Sequence, residues 1–374
     1  MPRPVGRVPR SGPGCVSRRG FLAGCCAVGA FGARLGGQGG AQRGRSAIDV
    51  HAHYFPERFI KSINEEGGPP GVSFDLSKPD APIFNIGGGR IPIDVTYWDL
   101  DKRLQRMNAQ GVTLHALSLT TPFVYWATPE RGAALARLVN DSMIEAHTAH
   151  PDRFVGCATL PLQAPELAVK ELDRLAGSRA IRGAYMPTSF GGKELSDPSL
   201  FPIYAKCEAM NLPILLHPDQ VAAAMGANRL SKFYMANTLG NPYDTGIAVT
   251  NLVFGGVMDR FPRLNIVLPH AGGTMPYLAG RLQHGQEVRP ETKGLAERPF
   301  MEYLRRFHYD TITHSPQLLR FLIDLVGVDR VMLGSDYCFD MGYERPREII
   351  EALKLKPADR DSIYSGNAAR LLGI

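Results

Sequence analysis

Residues 46–54 read SAIDVHAHY. An apolar run of Ala47, Ile48 and Val50 ends in His51-Ala52-His53, the pattern of a buried strand meeting a loop. On an extended strand residues i and i+2 leave the same face, so the two imidazoles stand side by side at the strand's end. Neutral imidazole is the commonest side-chain ligand for divalent transition ions, and a pair at this spacing is a natural clamp. The bland alternative is two exposed histidines at a loop start. What separates the two readings is where the other ligating residues fall along the chain.

Residues 56–97 have no periodicity and carry GGPP at 67–70 and GGGR at 87–90, a stretch long enough to be either a functional insertion or disordered. Beyond it a pattern sets in. The spacing predicts a helix over 99–110, with Leu100, Leu104 and Met107 on one face and Gly111 as its stop, then a buried strand over 112–120. Helix 130–149 leads to strand 154–160, helix 165–176 to strand 181–186, and helix 198–210 to strand 212–217. Helix 245–259 leads to strand 264–270, helix 274–284 and an irregular 286–300 to strand 307–312, and helix 316–326 to strand 330–336. Helices over 345–354 and 358–372 close the chain. Eight strands alternating with helices is the number that closes an α/β (β/α)8 TIM barrel, here distorted by a lid-like insertion over 54–98 and by C-terminal helices. An open doubly wound sheet is the rival, but no Gly-rich phosphate turn follows the first strand.

In such a barrel functional groups gather at the carboxyl ends of the strands. His51 and His53 end the first strand, His217 the fifth, His270 the sixth and Asp336 the eighth. Ten histidines scattered at random would rarely land so. His51, His53, His217 and Asp336 make three imidazoles and a carboxylate, a set suited to Zn²⁺ and tolerant of Mn²⁺ or Fe²⁺, with room for water or a substrate oxygen. His270 is either a fifth ligand or a nearby acid/base, and the second reading is preferred. The fourth strand ends Tyr185-Met186-Pro187-Thr188 with no lysine to bridge two ions, so one metal is expected, and no organic cofactor.

The chain has 374 residues and is 44% hydrophobic, enough for a large core. Its net charge of +6 raises the question of a nucleic-acid partner, but residues 1–41 hold Arg3, Arg7, Arg10, Arg18, Arg19 and Arg34 and no acid. Those six arginines account for the whole excess; the body is neutral, and a polyanion partner is excluded. Ser17-Arg18-Arg19-Gly20-Phe21-Leu22-Ala23 opens a short apolar stretch to about residue 33, followed by small residues. This reads as a twin-arginine export signal over 1–41, with the single domain over 42–374 and a periplasmic or extracellular destination. The apolar stretch is too short to span a bilayer stably. Cys15, Cys25 and Cys26 lie in the leader, leaving Cys157, Cys207 and Cys338 widely spaced, so no disulfide framework is implied.

With these motifs in hand, residues 47–374 resemble the amidohydrolase superfamily, and within it the branch of aminocarboxymuconate semialdehyde decarboxylase and related aromatic acid decarboxylases. The carriers are IDVHAHYFP, the RLQRMNAQGV helix end, PILLHP, IVLPHAGG, DRVMLGSDY and SGNAARLL. The resemblance implies His51, His53, His217 and Asp336 as metal ligands and His270 as the general acid/base. It also matches Arg90, in the Gly-rich insertion, to a position that holds a substrate carboxylate. Arg281 falls where an arginine reaches the neighbouring subunit's site, which implies a homodimer. Guanidinium suits a carboxylate bidentately; the alternatives are that Arg281 caps its helix and Arg90 is a solvated loop residue. Pro269 and Ala271 flank His270, and Asp219 follows His217-Pro218, where the decarboxylase has glycines and a large aromatic. These departures alter the pocket wall and put the particular substrate in doubt.

The other histidines get plainer readings: His115 as a satisfied core residue, His147, His150, His284 and His308 as surface, His314 as a pocket candidate on the active rim. Phe339, three residues past Asp336, is a candidate pocket wall. The activity implied is non-oxidative decarboxylation of a small unsaturated or aromatic carboxylic acid, with metal-dependent hydrolysis of an amide, ester or lactone as the alternative. An exported metal-binding protein without turnover is a third reading, disfavoured by the complete acid/base constellation.

Overall fold

Strand β1, Ile48–His53, is buried along its whole length, and the rest of the sheet is built outward from it. The computed structural model describes residues 46–374 apart from 80, 87, 88, 220–228 and 293; the export leader expected over 1–41 lies outside the described residues. Six further strands follow: β2 (Leu114–Ser118), β3 (Phe154–Thr159), β4 (Ile181–Pro187), β5 (Ile214–His217), β6 (Ile266–Leu268) and β7 (Phe307–Tyr309). They form one parallel sheet in chain order, each strand paired with its predecessor. Helices carry the returns. Pro129–Ala149 and Pro316–Val326 each begin with proline where no N–H is needed, behind the capping hydroxyls of Thr128 and Ser315.

The eighth strand expected over 330–336 is not a regular strand. The segment still lies between the two edges of the sheet: Val331 bridges Tyr309 of β7, and Tyr337 bridges Ala52 of β1. Met332 N–H donates to Tyr309 O at 2.9 Å and Val50 N–H to Leu333 O at 3.0 Å. Regular pairing fails because side chains take over the ladder. Ser335 N–H donates to Asp49 Oδ1 at 3.1 Å, its hydroxyl donates to the same carboxylate, and Asp336 turns to φ 60°. Gly334 is required here, since a Cβ would lie 2.7 Å from Cβ of Asp310 and 3.1 Å from Cβ of His51.

Inside the ring Ile48, Val50, Leu114, Val155, Leu215 and Val267 pack together, while a larger cluster fills the space between sheet and helices. One irregularity in β1 decides what the site contains. The pairing of β1 with β2 slips by one residue between Asp49 and Ala52, so that His53 rather than Ala52 stands opposite Ser118. Ile48 and Val50 face the barrel interior below the slip, and the two imidazoles face it above.

The insertion after β1 departs from the aperiodic reading of 56–97. It holds a helix, Glu57–Glu65, and a three-stranded antiparallel sheet of Ser73–Asp75, Ile83–Ile86 and Gly89–Pro92. The strands are too short to generate a readable alternation. They are held by Phe74 stacked on Phe84 at 4.6 Å, with Phe55 of the chain leaving β1 packed against both. His308, expected at the surface, is buried on β7. His115 is buried as expected but not satisfied, since its Nε2 has no hydrogen-bond partner. No helix among the described residues is long and apolar enough to cross a membrane. Cys157, Cys207 and Cys338 are free thiols.

Candidate metal centre

His51 and His53 leave the same face of β1 with ring centroids 4.9 Å apart. His217, at the end of β5, stands 4.8 Å from the His53 ring. Asp336, from the eighth segment, lies between the two β1 imidazoles: its Oδ1 is 3.0 Å from His53 Nε2 and 3.4 Å from His51 Nε2. One ligating atom from each of His51, His53, His217 and Asp336 falls within 4.8 Å of the others, and all four side chains are buried. The four residues singled out from the sequence as ligands are therefore brought to one point.

Each imidazole is held from behind. His51 Nδ1 donates to Asp310 Oδ2 at 2.8 Å, and His217 Nδ1 donates to the Pro218 carbonyl at 2.8 Å with Thr120 Oγ1 at 2.9 Å. His53 Nδ1 lies 3.3 Å from Ser118 Oγ. With the outer nitrogen protonated, the inner nitrogen carries a lone pair. The Nε2 atoms of His51 and His53 are nevertheless 3.2 Å apart and share the Asp336 carboxylate. Lone pairs and an anion aimed at one another are a poor arrangement by themselves and a good one around a cation. The donor set of three imidazoles and a carboxylate fits a single divalent ion.

The electrostatics follow from burial and proximity. Burial pushes His53 down to about 4 and holds His217 well below the usual imidazole range, so both are neutral and able to ligate at neutral pH. Burial also works against a charged His51, but the carboxylates of Asp336, Asp310 and Asp49 overcome it and raise its pKa. Burial opposes ionisation of Asp336, yet the surrounding imidazoles, His51 foremost, hold its carboxyl well below the usual carboxylate range.

His270 stands beside this cluster, its ring centroid 5.3 Å from that of His51 and 5.6 Å from that of His217. Its Nε2 is 3.5 Å from Asp336 Oδ2, its Nδ1 has no partner, and its side chain lines a cavity of about 640 Å³ that opens beside Asp336. Its backbone is in the left-handed region at φ 50°, as is Ala271 at φ 56°, a conformation costing on the order of 1–3 kcal/mol for a residue with a side chain. Asp310 sustains it by accepting the N–H groups of His270 and Ala271 at 2.9 and 2.7 Å. The same carboxylate thus orients a ligand and the acid/base candidate.

Phe339, the candidate pocket wall, lies edge-on to His53 at 5.4 Å and packs on Tyr97 at 5.5 Å, but is not among the residues lining the cavity beside His270. His314 lines the cavity and packs against Tyr343. Arg90 and Arg281 do not line it. Arg90 sits on the outer sheet of the insertion, exposed and 3.7 Å from Asp75. Arg281 is exposed on the helix Met275–Val288.

The sequence reading missed the residues behind the ligands. Asp310 falls inside the strand expected over 307–312, whereas β7 ends at Tyr309 and leaves Asp310 on the rim. Arg103 was hidden among the apolar positions of the helix Leu100–Gln110. It is fully buried, donating to the carbonyls of Thr96 and His53 beneath the Tyr337 ring, and so braces the end of β1. Its place three residues after Leu100 and four before Met107, on the buried face, was the available signal.

A family model described as amidohydrolase matches residues 48–374. The chain belongs to that family. Similar proteins include 2-amino-3-carboxymuconate-6-semialdehyde decarboxylase of Dictyostelium discoideum, 33% identical over 333 residues, covering 87% of this chain and 91% of that protein. Gamma-resorcylate decarboxylase of a Rhizobium species is 31% identical over 291 residues, covering 72% and 86%. Among solved structures, dihydroxybenzoic acid decarboxylase of Polaromonas, holding manganese and the inhibitor 2-nitroresorcinol, superposes with a TM-score of 0.74 at 25% identity, covering 88% of this chain and 97% of that one.

Proposed function

We propose that this amidohydrolase-family chain is a metal-dependent, non-oxidative decarboxylase of an aromatic or unsaturated carboxylic acid. The observation that carries the reading is the convergence of His51, His53, His217 and Asp336 on one point, with His270 beside them at the mouth of a cavity. The decarboxylase names of its relatives give the direction.

A bound divalent ion supplies Lewis acidity toward a substrate oxygen; the chain's own residues do the rest. In the net reaction the bond to the carboxylate carbon breaks, its electron pair stays on the substrate carbon, and a proton joins that carbon as CO₂ leaves. Nothing is oxidised. With no organic cofactor, the electron sink is the substrate itself, a phenol ring or conjugated enal. His270 moves the proton: its side chain lines the cavity beside Asp336. Phe339 packs on His53, while Arg90, held among the described residues by an exposed pair to Asp75, is proposed to turn toward a carboxylate.

Zinc is the first choice for the ion on its ligand set, with manganese, the ion of the Polaromonas relative, as the alternative. Arg281 is proposed to serve a second copy's site in a homodimer, so mixing Arg281→Ala with His270→Asn chains restores activity in the hybrid; no restoration sinks the dimer role. Arg18 and Arg19 are proposed to direct twin-arginine export to the periplasm or beyond; double Lys substitution leaves the protein in the cytoplasm, and unchanged export overturns the assignment.

The test of the main reading is elemental analysis combined with CO₂ detection on 2,6-dihydroxybenzoate and unsaturated acids. One equivalent of divalent metal and CO₂ release abolished by chelation support it. Turnover in the stripped protein overturns it, and cleavage of an ester, amide or lactone without CO₂ moves the chain to the hydrolase alternative.

A further inference from the structure

The cavity beside His270 is larger than a bare phenolic acid needs. At about 640 Å³ it falls within the roughly 300–1,000 Å³ that encloses a drug-sized ligand. His270 and Asp336 line it together with an apolar set, Ile312, Leu318, Phe321, Leu322, Met341 and Pro276. Among the described residues no lysine, arginine or glutamate lines it, and Asp336 is its one carboxylate.

Leu318, Phe321 and Leu322 come from a helix with two apolar stripes. Pro316–Val326 turns Leu319, Leu322, Ile323 and Val326 into the core. Leu318 and Phe321, three residues apart on the next face, remain 56% and 45% exposed. Tyr277, across the cavity, is 86% exposed. Apolar side chains left beside an active rim mark a surface that something covers. The lining also says what kind of group: among the described residues it offers no lysine or arginine to pair a second carboxylate, and its polar side chains, Asn237, Thr238, Asn241, Thr313 and His314, are outnumbered by the apolar ones.

We infer that this lobe is a hydrocarbon subsite. The acid whose carboxylate lies at the His270 end carries an alkyl chain or a second ring that extends between Pro276 and the Leu318–Phe321 stripe. The inference rests on the decarboxylase reading for the reacting end and on the lobe's own chemistry for the rest. It names a substrate class, hydrophobically substituted aromatic acids, rather than small polycarboxylates.

The test uses the metal-loaded full chain and 2-hydroxybenzoates bearing n-alkyl groups from methyl to heptyl, at ring position 6 in one series and 4 in another. Affinity is read by calorimetry and turnover by CO₂ release. Each methylene entering the lobe tightens binding by roughly three- to fourfold, from the free energy of burying one CH₂, until the lobe is full. Leu318→Asp and Phe321→Asp, at partly exposed positions that leave the core intact, flatten this slope; metal content and a melting curve verify that the variants are folded.

A rising slope in either series supports the subsite. Flat slopes in both overturn it, as does a slope the two variants leave unchanged. A lobe covered instead by a second copy of the chain gives a shift in molar mass on Leu318→Asp without a slope, and that also overturns it. A slope in binding with no CO₂ from any acid keeps the subsite and overturns the decarboxylase reading, so the two failures are distinguishable.

Discussion

Two sets of buried histidines divide the barrel. At the carboxyl ends of the strands, His51, His53 and His217 each have the outer nitrogen engaged, by Asp310, Ser118 and the Pro218 carbonyl, and the inner nitrogen aimed at a shared point. Lower in the sheet, His115 on β2 and His308 on β7 are as buried, yet each has a ring nitrogen with no hydrogen-bond partner: Nε2 of His115, which lies 3.8 Å from Asp49 Oδ2, and Nδ1 of His308. Burial lowers basicity in both places: His53 and His308 are each pushed down to about 4. Neither burial nor a depressed pKa therefore marks the metal site. What marks it is the set of acceptors behind the rings, which turns the remaining lone pairs toward one another.

The comparison breaks first where a ligand is removed. His217→Ala leaves two imidazoles and a carboxylate, and the expected outcome is loss of bound metal together with loss of activity. His115→Ala, the same change at the same burial, leaves the metal in place. Elemental analysis of both proteins decides; equal metal content would erase the distinction. Next is His270→Asn, expected to keep the metal and lower turnover by roughly 10²–10⁴-fold, the usual contribution of a positioned acid/base. Parallel loss of metal would make His270 a ligand instead.

A sharper cut is made behind the ligands. Asp310→Asn keeps the size of the side chain but removes the anion that His51 Nδ1 donates to and that also accepts from the backbone of His270 and Ala271. Metal affinity is expected to fall by about 10–100-fold, the range for lost outer partners of metal-bound histidines. Competition with a chelator measures it, and unchanged affinity would mean that the inner nitrogens need no orientation from behind.

The ligands were legible in sequence for a physical reason. Strand periodicity and the strand-end rule are local, and each of His51, His53 and His217 stands at the end of an apolar run. Asp336 was found by the same rule although its segment is not a regular strand, because Val331, Met332 and Leu333 are buried like one. What was not legible depends on register. The one-residue slip in β1 and the early end of β7 decide that His53 faces inward and that Asp310 reaches His51, and neither alters the hydrophobic pattern. The insertion was misread because strands of three or four residues carry too few positions to alternate. The acceptors Ser118 and Thr120 are ordinary strand residues until a distant imidazole meets them.

The smallest effect belongs to the other set of histidines and concerns stability. His308 is buried, and burial, aided by Arg330 and Arg370 against Asp329, pushes its pKa down to about 4. An unfolded histidine titrates near 6.5. A folded pKa below the unfolded one means that the native state prefers the neutral ring, so the contribution is complete above about 6.5 and is lost as pH falls toward 4. Between pH 7.5 and pH 5 this amounts to at most about 2 kcal/mol, which for a domain of this size is roughly 3 °C in melting temperature. In metal-stripped protein, so that release of the ion does not intrude, His308→Leu is expected to lose about that much less on acidification than the parent chain. A protein that loses the same number of degrees with or without His308 would show that the ring is hydrated in the native state, and the contrast between the two sets would then rest on metal binding alone.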